Sequence, residues 1–341
     1  MPFNPTVRKG LEVGWAEETS LDVQTVHDLA PGARINLIVA SSPSGNDLNV
    51  AERYAVDNHL GNVMSMSFGS PESAIAGGGN NLQLQQADAI YRAAAASGIS
   101  VFASSGDSGA TNGAATANAG FPASDPYVTS AGGTDLFVNA AIGSNVSPGS
   151  TSTDGTYAGE YAWNVANPAT CPFGCQYGPF GATGGAYSSV FSVPAYQAGA
   201  NPGATMRSTS DVSFNASVYT ATMIFLGFLG GTANNFYFFG GTSEASPAWA
   251  AITADLDQAA GGNLGFLNPQ LYKLAANPTS YAADFHDVTV GTNNFPAVSS
   301  PGYSAGTGYD LPTGLGTPIV SGLMNSLAPT ATLGFTPPPG S

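Results

Sequence analysis

Residues 239–249 read FGGTSEASPAW. Two glycines and a threonine precede Ser243, and Pro247 follows four residues later. The segment after Ser243, EASPAWAAITADLDQAA, is strongly helical, and Pro247 falls in its first turn, where a missing N–H costs nothing. Ser243 therefore sits on a glycine-rich turn that opens a helix. There its own backbone N–H points at an incoming oxyanion, helped by the helix dipole. The same position suits a plain N-cap serine. A nucleophile needs a base, and the chain holds only three histidines, His27, His59 and His286, none in a setting suited to catalysis.

Upstream of this turn the chain alternates helix and strand. The reading predicts a helix from about Trp15 to Leu29, then a buried strand in RINLIVA (34–40). A second helix in LNVAERYAVDN (48–58) leads to a strand in NVMSMSFG (62–69). The Ala- and Gln-rich stretch 82–97 is a helix stopped by Gly98, followed by strands in ISVFASSG (99–106) and DPYVTSAGG (125–133). Such repetition implies an α/β fold, a parallel sheet covered by helices on both faces. From about 140 to 240 the chain is loop-rich, with two aromatic strand-like runs, TATMIFLGFL and NNFYFFGG. No internal repeat is present.

Composition narrows the class. The 341 residues carry 7 basic and 22 acidic side chains, a net charge of −15, with charged residues only 9% of the total, against about 25% in an average soluble protein. Nucleic acid and anionic membranes are excluded as partners, because no basic surface is there to neutralise phosphates. A chain with few ion pairs loses little when its carboxylates are protonated, which suits acid surroundings. The only cysteines, Cys171 and Cys175, suit a local disulfide in a secreted protein better than half a zinc site. Asn145 and Asn215 open glycosylation sequons of a kind that chance often produces. No apolar run reaches membrane-spanning length, and the start lacks the hydrophobic core of a signal peptide.

Two further segments bear on Ser243. In the first predicted helix Trp15, Glu18, Asp22, Val26 and Leu29 are spaced by 3, 4, 4 and 3 and share one stripe. Glu18 and Asp22 are thus stacked carboxyls that favour a shared proton, or else part of an acidic helix start favoured by the macrodipole. Asp107 lies just past the strand 99–106, where parallel sheets bind ligands, although Asp–Ser–Gly is also a common turn. Together they form a set. At acid pH a histidine is already protonated, whereas a glutamate with an ordinary pKa of about 4.3 can accept a proton. A protonated aspartic acid can donate to an oxyanion.

These segments resemble the sedolisins, the serine-carboxyl peptidases with a subtilisin-like fold. EETSLDVQTVHDLAPGARINLIVA, SVFASSGDSGA and GGTSEASPAWAA match the family's three catalytic stretches in order. FPASDPYVTSAGGT, TGGAYSSVFSVPAYQ and SDVSFNA align with others. The resemblance covers about residues 11–325. It implies Ser243 as nucleophile, Glu18 as base, Asp22 as its orienting partner and Asp107 as oxyanion donor, acting on polypeptides at acid pH. It implies that SMSFGS pairs with substrate through Ser67 and Gly69, with Phe68 where relatives carry tryptophan, and that Tyr187 lines the opposite wall. It also implies a Ca2+ site from the carboxylates of Asp287 and Asp310 and the carbonyls of Val288, Gly306 and Gly308. Secretion and a monomeric state follow from the same likeness.

The reading assigns residues 1–327 to the peptidase domain and 328–341 to a proline-rich tail or linker. The chain reaches Glu18 almost at once, so its N-terminal part reads as truncated, leaving a gap in the central sheet. Two other functions stay open. One is a Ser–His–Asp peptidase using His27, which lies about 140° round the helix from Asp22. The other is a non-catalytic peptidase-like module.

Overall fold

The run 99–106 becomes a strand over Ser100–Ser104, and its alternation shows how the molecule is layered. Val101 and Ala103 face one hydrophobic cluster, while Phe102 faces another on the opposite side of the sheet. This computed structural model describes residues 9–76, 81–139, 156–165, 181–229, 235–295 and 301–328.

In chain order, α1 (Lys9–Leu29) and α2 (Gly45–Asp57) precede β1 (Val63–Met66). The short β2 (Ser70–Pro71) and α3 (Glu72–Ile75) lead to α4 (Leu82–Ala96), β3 (Ser100–Ser104) and β4 (Gly120–Phe121). The long β5 (Thr129–Asn139) is followed by β6 (Thr156–Ala162), β7 (Tyr187–Ser192), β8 (Met206–Ser208) and β9 (Val212–Asn215). A hairpin, β10 (Thr222–Phe225) and β11 (Phe236–Phe239), enters α5 (Thr242–Ala260). Next come α6 (Asn268–Ala275), α7 (Pro278–Asp284), β12 (Phe285–His286), β13 (Thr317–Pro318) and α8 (Val320–Leu327).

The main sheet runs β1–β3–β5 in parallel. β9 joins β5 in parallel, and β6 pairs antiparallel with its far half. The expected parallel α/β architecture is therefore present. Helix α5 crosses one face, packing on β1, β3, β5 and β9. Its Trp249 is fully buried, stacks on Phe102 with centroids 6.4 Å apart and donates its indole N–H to the Ser213 carbonyl at 2.8 Å. Removing a ring buried like this costs roughly 3–5 kcal/mol. On the other face Leu84, Ala87, Ile90, Tyr91 and Ala94 of α4 cover Val101 and Ala103.

Two expectations are corrected, and one open sequon is placed. Residues 34–40 form no strand: they run without a strand partner, and Ile35, Leu37 and Val39 are exposed, Val39 by 65%. Apolar β-branched side chains make a strand only where a neighbouring edge pairs with them, and none of the described strands does. Helix α1 begins at Lys9, and its buried residues are Leu21 and Thr25, not the stripe ending at Val26 and Leu29. The helix is covered from two sides, by α5 and by the β10–β11 hairpin, whose Ile224 and Leu226 pack on Leu21. Asn215 cannot carry a glycan as placed. It is buried, donates to the Thr220 carbonyl and accepts from the Thr220 hydroxyl. Cys171, Cys175, Asn145 and the tail from 329 onward lie outside the described residues.

Candidate active site

Four segments converge at the C-terminal end of the parallel strands. The loop after β1 brings Ser67, the loop after β3 brings Asp107, α5 brings Ser243 in its first turn, and α1 brings Glu18 and Asp22. Ser65 and Ser246, with hydroxyls 2.9 Å apart, tie β1 to the start of α5. The Ser67 hydroxyl lies 2.6 Å from Asp22 Oδ1, its acceptor, and 3.1 Å from the Ser243 carbonyl oxygen. Ser243 itself is partly exposed.

The Ser243 hydroxyl lies close enough to Glu18 to lower that carboxyl's proton affinity. Glu18 Oε1 is buried and has no protein partner. Burial pushes the Glu18 carboxyl well above the usual carboxylate range, the charge of Asp22 adds to this, and the Ser243 hydroxyl works against it. Burial raises Asp22 as well, opposed by the bond from Ser67. Reference values place a glutamate ready to accept protons at acid pH; the observed pair instead holds its protons more tightly, because little water reaches it. One aromatic pair contributes to that dryness: Trp15, one turn before Glu18, meets Phe68 edge-on at 6.4 Å.

Asp107 is held by Thr242, the residue before Ser243. Thr242 donates both its N–H, at 2.8 Å, and its hydroxyl, at 2.7 Å, to Asp107 Oδ1. Oδ2 lies against Gly241, where a Cβ would come within 2.8 Å of it, and Gly241 has φ of 105°. Only glycine meets both conditions. Burial raises the Asp107 carboxyl, and the two Thr242 bonds oppose the rise. Asp107 thus favours the neutral form that can donate from Oδ2.

Glu72, the first residue of α3, drew no attention in the sequence. It is fully buried. Its carboxylate accepts from the Ser188 hydroxyl at 2.6 Å, the Ser189 N–H at 2.6 Å and the Ser189 hydroxyl at 2.9 Å. It thereby fastens the 67–72 segment to β7, while Gly184 N–H bonds the Gly106 carbonyl at 2.6 Å. A lone acid after a proline looks like a helix start; only the tertiary partners reveal a clamp between two walls. Glu72→Ala strands those buried donors, so urea unfolding should show a loss of about 2–3 kcal/mol. An unchanged midpoint would mean the clamp carries no load.

The other expected residues are placed as follows. Gly69 is exposed beside the 120–122 turn, where a Cβ would come within 2.9 Å of the Phe121 carbonyl oxygen. Tyr187 begins β7 and is exposed; its contacts are Asn201 and Tyr303, not the carboxyl cluster. His27 is exposed on α1, and His286 stacks on Tyr157 at 3.8 Å, far from the role of base. Asp287 and Asp310 do come together. Gly308 N–H bonds Asp287, Gly306 N–H bonds Asp310 at 2.8 Å, and burial lifts Asp310 to about 6, with the Asp287 charge adding to the rise. Two carboxylates repelling across one loop are a donor set that fits a hard cation.

The chain matches the subtilase family over residues 13–277. It is 34% identical over 324 residues to kumamolisin of Bacillus sp. (strain MN-32), covering 92% of this chain and 51% of that protein. It is 32% identical to sedolisin of Pseudomonas sp. (strain 101), covering 88% and 47%. The chain thus spans about half the length of these curated relatives. The solved structure of Pseudomonas sedolisin, a serine-carboxyl proteinase complexed with two molecules of pseudo-iodotyrostatin, superposes with a TM-score of 0.75 at 30% identity. That match covers 92% of this chain and 79% of the other. With its glycine-rich turn, its carboxyl cluster and these relatives, the chain belongs to the sedolisin (serine-carboxyl peptidase) family and has its subtilisin-like fold.

Proposed function

We propose that this chain is a serine-carboxyl endopeptidase that hydrolyses polypeptides at acid pH. One observation carries the reading: the Ser243 hydroxyl stands beside Glu18, a half-buried carboxyl one turn from Asp22, with no histidine in the cluster. In the reactive form the pair holds a single proton, on Asp22, and Ser243 Oγ attacks the scissile carbonyl carbon while its proton passes to the ionised Glu18. Asp22, one turn along α1, shares the proton load and fixes the pair, and Ser67 anchors Asp22. The oxygen that becomes negative is met by the Ser243 N–H at the helix start and by a proton on Asp107 Oδ2. Glu18 then gives its proton to the leaving amine, and water, activated in the same way, releases the acyl group. Ser67 and Gly69 offer backbone for an added substrate strand, with Tyr187 on the facing wall.

The test is hydrolysis of a reduced, alkylated protein from pH 2 to 8, beside Ser243→Ala. Activity is expected on the acid side and absent from the variant. Full activity at pH 8 with none at pH 4 would overturn the reading, and folded protein inactive at every pH would favour a non-catalytic module.

A calcium ion belongs to the same reading. Asp287 and Asp310 would hold it, with carbonyls of Val288, Gly306 and Gly308, and it would offset the repulsion between the two carboxylates. Chelation should lower the thermal midpoint of the wild type by several degrees, and added Ca2+ should restore it. Asp310→Ala should abolish that response; a wild type indifferent to chelator would remove calcium from the account. Secretion and a monomeric state are part of the proposal. Among the described residues no helix is long and apolar enough to cross a membrane.

A further inference from the structure

Hairpins on a protein surface alternate apolar residues inward with polar residues outward. The β10–β11 hairpin does not. Its inner residue Ile224 packs with Leu226, Tyr237 and Phe239 on Leu21 of α1. Its outer positions are Met223 opposite Phe238 and Phe225 opposite Phe236, with Phe228 just beyond. All five are exposed, Phe238 by 73%. Residues 219–239 contain no charged side chain.

This outer face is held in place. Gln24 of α1 exchanges two hydrogen bonds with the Phe225 backbone, at 3.1 and 2.9 Å. Glu244, the residue after the nucleophile, accepts from the Thr222 hydroxyl at 2.5 Å. The Phe225 and Phe236 rings meet edge-to-face at 5.5 Å. The hairpin is therefore anchored to the catalytic helix and to the nucleophile turn, and β11 runs through Gly240 and Gly241 directly into Ser243.

We infer that this face is an auxiliary docking surface for an apolar, aromatic-rich segment of the polypeptide substrate, lying outside the cleft. The inference rests on the peptidase reading, since the partner is the substrate itself. Area favours this occupant. At roughly 200 Å² per aromatic side chain, the face exposes on the order of 500 Å², well short of the ~800 Å² that one partner contributes to a standard interface between two proteins. It is the size of a functional patch on a monomer. The absence of charge makes the contact indifferent to protonation, and unfolded substrates present the apolar segments it needs.

The test compares two substrates at the pH of best activity: a short fluorogenic peptide that fills only the cleft, and a reduced, alkylated protein containing the same sequence. The variant Met223→Thr/Phe225→Thr/Phe236→Thr/Phe238→Thr keeps β propensity and removes the apolar face; Phe238→Thr alone serves if the fourfold variant does not fold. Loss of about tenfold in kcat/KM for the protein through KM, with the peptide changed less than about twofold, is the expected result. Equal losses for both, or none for either, would overturn the proposal. So would a wild type that sediments as a dimer while the variant does not, since the face would then join two copies. If the wild type cleaves neither substrate, the peptidase reading fails, and binding of the alkylated protein to Ser243→Ala decides the docking surface separately. There the same four changes should weaken affinity about tenfold, and unchanged affinity refutes it.

Discussion

Glutamine at position 18 is expected to lower kcat/KM by about 10⁴-fold or more, the scale on which removing a member of a catalytic triad acts. Glutamine matches glutamic acid in shape and can still accept the Ser243 hydrogen bond, but it cannot take the proton away. The half-buried pair holds its protons tightly, so the fold should tolerate an uncharged amide there, and the thermal midpoint at pH 4 is the control. Asp107 offers the contrast. Asp107→Ala removes a donor to the oxyanion and should cost about 10²–10³-fold. Asp107→Asn keeps an acceptor for Thr242 and an N–H donor where Oδ2 stands, so more activity should survive. Asparagine also cannot ionise, so the alkaline limb of the pH profile should flatten in that variant. An unaltered alkaline limb in an active Asn variant would show that another group sets it.

The second large effect concerns stability. Outside the cluster around Ser243, burial raises Glu52 to about 7, Asp125 to about 8, Asp135 to about 6 and Glu244 to about 7. Each is an acid whose folded pKa exceeds its unfolded value. Below pH 4 both states bind the proton and the full stability is present; above about pH 4 the unfolded chain has released protons that the folded chain still holds, so stability falls until the folded pKa values of about 6 to 8 are passed. Glu52 alone accounts for about 3 kcal/mol at about 1.4 kcal/mol per unit. The other three act in the same direction. The thermal midpoint should therefore be highest near pH 3–4 and fall steeply toward pH 8, the reverse of ordinary acid denaturation. Glu52→Gln, which preserves an acceptor for the Tyr91 hydroxyl at 2.9 Å, should recover part of the loss at pH 8 and change little at pH 4. A midpoint that peaks near pH 7 would contradict this assignment.

How much of this was legible in the sequence depends on how local each signal is. The glycine turn before Ser243, the i,i+4 spacing of Glu18 and Asp22 and the strand end before Asp107 are short-range patterns, and the fold brings all three together. Residues 34–40 carry a strand's composition, yet a strand is a property of two edges, and no described strand pairs with this one. The buried face of α1 was misplaced because periodicity reports one apolar stripe, whereas this helix is covered from two directions at Leu21. Glu72 and Glu244 look like helix-start acids along the chain. Their partners, Ser188 and Ser189 for one and Thr222 for the other, lie 116, 117 and 22 residues away. The carboxyl pKa values were out of reach for the same reason, since burial belongs to the folded molecule alone.

Thr242 gives the fold a tuning point for enzyme engineering. Its hydroxyl stabilises the ionised form of Asp107 without touching the Ser243 hydroxyl or Glu18 by any described bond. Exchanging that hydroxyl for a methyl group should lift the proton affinity of Asp107 and, on the proposed mechanism, extend activity toward neutral pH. The cost falls on Gly106, whose N–H donates to the same oxygen at 3.0 Å. A library built on the proposed mechanism would therefore vary position 242 and keep Gly106, whose φ of 109° and closeness to Asn112 leave no room for a side chain.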